Sequence, residues 1–287
     1  MLGSKFTKLS GSRRSQTIIW WVIRYAILLV ATFWFLFPIF WVTSNSFKFP
    51  RDYNQSPPLY LPTEAHLGNY KKVLITTSKA TQGLSDSIIV SVGTTLMTLT
   101  VGVSAAYSMA RFQTGGSKFS FWVLSQRMLP AVALLLPIFL LFRTIKLLDT
   151  HVGLILLYTV SFLPFAIWML RGFVLEVPAE IEESALIDGA TRWHVLCYVT
   201  LPLLGPGMIS TGTFVFIASW SEFLYASILT RSGVQTLPVL VTSFFGEQAA
   251  LLGEASAVAV IATFPIIVLG LLVQRHFVSG IAMGAVK

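Results

Sequence analysis

Six stretches of about 20 apolar residues, each long enough for a helix to cross a bilayer, alternate with polar segments along the chain. Their expected bounds are 18–42, 87–110, 119–142, 152–170, 207–229 and 255–274, and the pattern predicts an all-α polytopic membrane protein. Trp20, Trp21 and Trp41 sit at the two ends of the first stretch, where interfacial tryptophans belong. Arg24 lies within snorkelling reach of the headgroups. The second stretch carries Gly93, Gly102, Ala105 and Ala106, small residues that let helices approach closely where lipid supplies no hydrophobic drive. Pro130 and Pro137 interrupt the third, and the fourth and sixth carry Pro164 and Pro265. The polar segment 43–86 is expected to fold as a cap on the outer helix ends.

One polar segment differs from the rest. Residues 178–202, PAEIEESALIDGATRWHVLCYVTLP, form an acidic island between the fourth and fifth spans. Five of the 12 acids, Glu176, Glu180, Glu182, Glu183 and Asp188, lie in it or just before it. Each carboxylate costs about 3 kcal/mol at the centre of a bilayer, so the island belongs at the membrane surface. Pro178 and the early glutamates suit a first helical turn. Gly189 supplies a stop, Thr191 an N-cap for a second short helix, and Leu201-Pro202 its end. Two short helices separated by a glycine make a compact knob, whose plainest reading is a solvated connector.

Composition agrees with the pattern: 55% of residues are apolar, 11% are charged, and the mean hydropathy is +0.75. The net charge of +8 is scattered between the spans rather than gathered on one face, which argues against nucleic acid as partner. The single cysteine, Cys197, has no internal disulfide partner and reads as a packing residue. Residues 1–17 are basic, but the following apolar run is too long and aromatic for a signal peptide, so a retained first helix is expected. Six spans place the N-terminus, the island and the tail 275–287 on one side, and the distribution of Lys and Arg favours the cytoplasm for it.

Two charges fall within the spans. Arg127 lies about 12 Å into the third and Glu222 about 22 Å into the fifth at 1.5 Å per residue. That depth difference argues against a direct ion pair; each is a functional candidate by its position, with snorkelling to the headgroups as the other reading of Arg127. The histidines, His66, His151, His194 and His276, lie in loops or near helix ends with no metal-ligand spacing. No catalytic cluster and no metal site is expected. A secondary, ion-coupled transporter would need polar relays at mid-membrane and usually an internal repeat, and neither is clear.

Glu183-Ser184-Ala185, Gly189 four residues on, and Val199-Thr200-Leu201-Pro202 ten residues further resemble the EAA loop of ATP-binding-cassette importer permeases. Ser184 replaces an alanine of that pattern and Val199 an isoleucine. Ala106-Tyr107, Ala110-Arg111-Phe112, Leu147-Leu148-Asp149-Thr150, Leu163-Pro164-Phe165, Ile187-Asp188-Gly189-Ala190 and Trp220-Ser221-Glu222-Phe223 extend the likeness. They are similar to the smaller permease of carbohydrate importers of the maltose-transporter type.

The resemblance implies half of a translocation pathway with no catalysis of its own. A second homologous permease would complete the pathway, and two cytoplasmic subunits would bind the ATP and Mg. An extracytoplasmic protein would deliver the solute, and the chain would sit in a bacterial or archaeal cytoplasmic membrane with both termini inside. Glu183, Ser184, Ala185, Asp188, Gly189, Ala190, Leu201 and Pro202 would couple to the ATPase. Arg127, Tyr158, Phe162, Trp220 and Glu222 are the pathway candidates, the aromatics as platforms for sugar rings. The outer loop 230–254, with Gly233, Phe244, Phe245 and Gly246, would face the binding protein. The tail from residue 280 is expected to reach the ATPase interface.

Overall fold

The computed structural model describes residues 9–53, 55–247 and 251–284, and every regular element among them is helical. Four helices are long and apolar enough to cross a membrane: Ile19–Ser46, Lys79–Arg111, His151–Glu176 and Leu252–Gln274. Two more crossings arise only when bent halves are counted together. Helix α1 (Leu9–Ser46) leads into the cap, and α2 (Lys79–Arg111) packs along α5 (His151–Glu176) as the central pair. The pair fits because α2 offers small residues. A Cβ on Gly102 would lie 3.6 Å from Ala166 Cβ, and one on Gly93 only 2.7 Å from Ile155 Cδ1. Helix α8 (Gly205–Trp220) lies against α2, with Gly212 closing on Leu99.

The third span is not one helix. It divides into α3 (Gly116–Ser125), a 3-10 turn Gln126–Met128, and α4 (Ala131–Thr144), with 89° between the halves. The elbow is at Leu129, whose backbone is extended at φ −71°, ψ 128°. Proline disfavours helical geometry in the residue before it and has no N–H to give, and at Pro130 the helix breaks. Pro38, Pro137, Pro164 and Pro265 lie inside continuous helices instead. The fifth span is broken too: α8 stops at Trp220, and α9 (Leu224–Leu229) begins after Ser221, Glu222 and Phe223.

Residues 178–202 hold α6 (Ala179–Ile187) and α7 (Arg192–Leu203), as expected, but Pro178 is the N-cap of α6 rather than part of its first turn. Leu201-Pro202 does not end α7. A π-helical stretch Val195–Thr200 widens the helix before the proline, which then starts a last α-turn, Leu201–Leu203, where its missing N–H is harmless. The chain turns by 77° at Leu204, between α7 and α8.

The outer loop contains a helix, α10 (Leu237–Glu247), and α11 (Leu252–Gly284) runs past the expected end of the sixth span. The tail therefore continues as helix to Gly284; residues 285–287 lie outside the described residues.

Segment 43–86 folds into a cap, with α1 entering it and α2 starting within it. Lys48 is fully buried and donates to Asn45 Oδ1 (2.7 Å) and to the Leu59 carbonyl (2.6 Å). Burial lowers its pKa, opposed in part by Asp52. Thr63 donates its hydroxyl to Asp52 (2.8 Å), and an ion pair from Lys72 to Glu254 fastens the cap to α11.

Candidate functional site

On α6 the buried or half-buried positions are Glu182, Ala185 and Leu186, the i, i+3, i+4 pattern of one helix face. Glu180, Ile181, Glu183, Ser184 and Ile187 point outward. The helix ends in a Schellman motif: the Gly189 N–H donates to the Leu186 carbonyl (3.1 Å) and the Ala190 N–H to that of Ala185 (3.0 Å). Gly189 is at φ +90°, where any Cβ brings strain. Space around it is open, so within this chain the glycine serves the turn and not a close approach. Thr191 caps α7, its Oγ1 accepting from the His194 N–H at 3.3 Å.

Glu182, which the sequence pattern did not single out, holds this knob to the membrane helices. Its side chain, 3% exposed, accepts from Arg111 Nε on both oxygens (3.1 Å), from Tyr107 Oη (3.2 Å) and from Thr200 Oγ1 (2.9 Å). Arg111 Nη2 lies 3.0 Å from the same carboxylate and donates to the Val177 carbonyl at 2.7 Å. One buried carboxylate thus joins the end of α2, the start of α6 and the π-helical turn of α7. The i, i+3, i+4 pattern was the available signal.

The outward face of the knob is apolar in an unexpected way. Ile187 is 86% exposed, Tyr198 76% and Trp193 66%, next to the exposed carboxylates Glu183 and Asp188. Large apolar residues displayed beside charges mark a surface that meets either a protein or the membrane. Ser184 donates to the Glu180 carbonyl (2.8 Å), Ala190 is half-buried, and Leu201 and Pro202 continue α7 toward the turn at Leu204.

At the other end of the bundle two aspartates fasten the outer loop. Asp149 accepts from the N–H groups of Arg231 (2.9 Å), Gly233 (2.8 Å) and Val234 (3.0 Å). Burial raises its pKa, but these backbone donors outweigh it and hold the group below its ordinary 3.8. A Cβ at Gly233 would lie 2.9 Å from Asp149 Oδ2, so this glycine serves a close approach. Asp86 bonds His151 Nε2 (2.8 Å) and accepts from the Gln235 N–H (2.9 Å). Phe244 is buried in a cluster with Val73, Leu240 and Trp220, facing inward rather than toward a delivery protein. Phe245 and Gly246 fall within α10, and the Phe245 side chain lies outside the described residues.

The pathway candidates separate. Trp220 is 2% exposed, donates to the Ala262 carbonyl (2.9 Å) and stacks on Phe216, so it packs α8 on α11. Tyr158 is fully buried and donates to Glu222 at 2.5 Å. Glu222 stands at the break between α8 and α9, accepting from the N–H groups of Tyr225 (2.9 Å) and Ala226 (3.2 Å). It caps the half-helix α9 instead of lying mid-helix. Arg127 and Phe162 do line an open groove of about 650 Å³ between the elbow of the third span and α5.

Comparison with known proteins comes to the same architecture. Residues 98–283 match the family model described as binding-protein-dependent transport system inner membrane component. The chain is 34% identical to the diacetylchitobiose uptake system permease protein of Streptomyces coelicolor, over 88% of this chain and 92% of that one. It is also 34% identical to the trehalose transport system permease protein of Mycobacterium tuberculosis, with 88% and 92% covered. Among solved structures, a chain of a bacterial ABC transporter involved in the import of the acidic polysaccharide alginate superposes with a TM-score of 0.79. There 91% of this chain and 98% of that one are covered at 22% identity, a likeness of fold.

Proposed function

The chain belongs to the binding-protein-dependent transport system inner membrane components, and on that premise we propose how it works. It is a permease subunit of an ATP-binding-cassette importer, of the carbohydrate class. The family's role is to conduct, not to catalyse; ATP and Mg bind on two separate cytoplasmic subunits. A second, homologous permease supplies the other half of the pathway, and an extracytoplasmic binding protein presents the solute at the 230–254 side. Both termini and the knob face the cytoplasm.

One observation carries the coupling role: a short, stiff knob bears exposed Ile187, Trp193 and Tyr198 outside and is pinned inside by buried Glu182. An element fixed to the ends of α2 and α7 passes on a displacement rather than absorbing it, as rigid-body rocking of helix bundles requires. The apolar face, with Glu183 and Asp188 beside it, suits a groove with basic rims on the ATPase. A photo-crosslinking residue at Trp193 in the complete importer is expected to capture the ATPase subunit. Capture of lipid or of the second permease alone would remove the docking assignment.

A further inference from the structure

We propose that the groove at the elbow of the third span is a solute subsite for a sugar bearing an anionic group, which Arg127 receives. This rests on the pathway reading above and adds a substrate class to it.

The groove, about 650 Å³, is of the size that holds small organic ligands. Its walls include Phe119, Trp122, Gln126 and Arg127 on one side and Phe162 and Tyr225 on the other. The Arg127 guanidinium lies 5.4 Å from the ring centre of Phe165. Phe165 is near the middle of α5, about 21 Å from its start at 1.5 Å per residue, so the cation stands near mid-membrane. Among the described residues no carboxylate approaches Arg127 within ion-pair distance. Glu222, about 10 Å away in depth at 1.5 Å per residue, is taken up by Tyr158 and the N–H groups of Tyr225 and Ala226.

Intramembrane cations almost always face the bundle interior or a water-filled cavity rather than lipid. Much of the remaining lining is aliphatic, Leu129, Leu134, Ile138 and Val160 among it. The aromatic rings offer faces to the C–H face of a sugar, and Gln126, whose amide N–H donates to the Trp122 carbonyl (3.3 Å), keeps its oxygen for a hydroxyl. A guanidinium pairs with a carboxylate or phosphate through two parallel hydrogen bonds. A neutral sugar would cover the same aromatic walls but leave the charge without a counter-ion. An anionic one satisfies both.

The test uses the complete importer with Cys197→Ser and Ser161→Cys, a groove position on α5. An uncharged methanethiosulfonate reads its accessibility from water. The probes are a uronate and a sugar phosphate, each beside its neutral parent. The expected result is modification slowed about tenfold or more by at least one anionic probe and not by its parent. Arg127→Gln should abolish that protection and Arg127→Lys keep part of it. A cysteine that is modified but protected equally by both members of each pair, or by neither, overturns the subsite while leaving the pathway reading intact. A cysteine that no reagent reaches, because the second permease covers the groove, overturns both.

Discussion

Glu182 and Gly189 hold the knob together by different means, and each makes its own prediction. Glu182→Ala leaves the part-buried Arg111 guanidinium without its carboxylate, a change that costs about 3 kcal/mol in buried pairs. Amide exchange across 179–187 in the assembled complex should then quicken roughly 100-fold. Glu182→Gln, which keeps acceptors for Tyr107 and Thr200, should have a smaller effect; equal exchange in all three proteins would refute the pinning role. Gly189 was legible from spacing alone, because a Schellman turn needs a residue at positive φ. Glu182 was not. Its charge grouped it with the outward glutamates that suit a helix N-terminus, and only the helix-face pattern with Ala185 and Leu186 hinted that it turns inward. The aromatics Tyr158 and Trp220, candidates for stacking on a sugar, are buried and serve packing, the commoner role of aromatics in helices.

Among the elements, the six apolar runs were legible because length and hydropathy are local properties. The breaks were only partly so: of five prolines in spans only Pro130 parts its helix, and the break after Trp220 has no proline at all. What decides is the surrounding packing, which pattern does not carry. The outer loop shows a second limit: Asp149 and Asp86 meet it from residues some 80 and 150 positions away. Since Asp149 titrates below 3.8 when folded, its contribution is complete above that value and is lost as pH falls through the lower folded pKa. Hydrogen exchange at residues 231–234, corrected for intrinsic rate, should therefore show constant protection from pH 8 to about 5. Asp149→Asn should lower it throughout. Protection that already falls between pH 7 and 5 would assign the fastening to another group.

At the level of the whole molecule, α1 stands apart. It packs chiefly on α11, and none of its most apolar window is buried, with Phe33, Trp34 and Phe35 all turned outward. Such a face suits the second permease, so a photo-crosslinking residue at Trp34 should capture that subunit in the complete importer. Capture of lipid only would turn the face to the bilayer. The central claim concerns the knob, which on the proposed reading passes motion from ATPase to pathway. Its most direct test is the ratio of solute taken up to ATP hydrolysed in proteoliposomes holding the complete importer with Gly189→Val. A β-branched residue at φ +90° distorts the turn without touching the spans. Uptake should fall at least about tenfold while hydrolysis persists and the subunits remain assembled. An unchanged ratio with normal uptake would contradict the account.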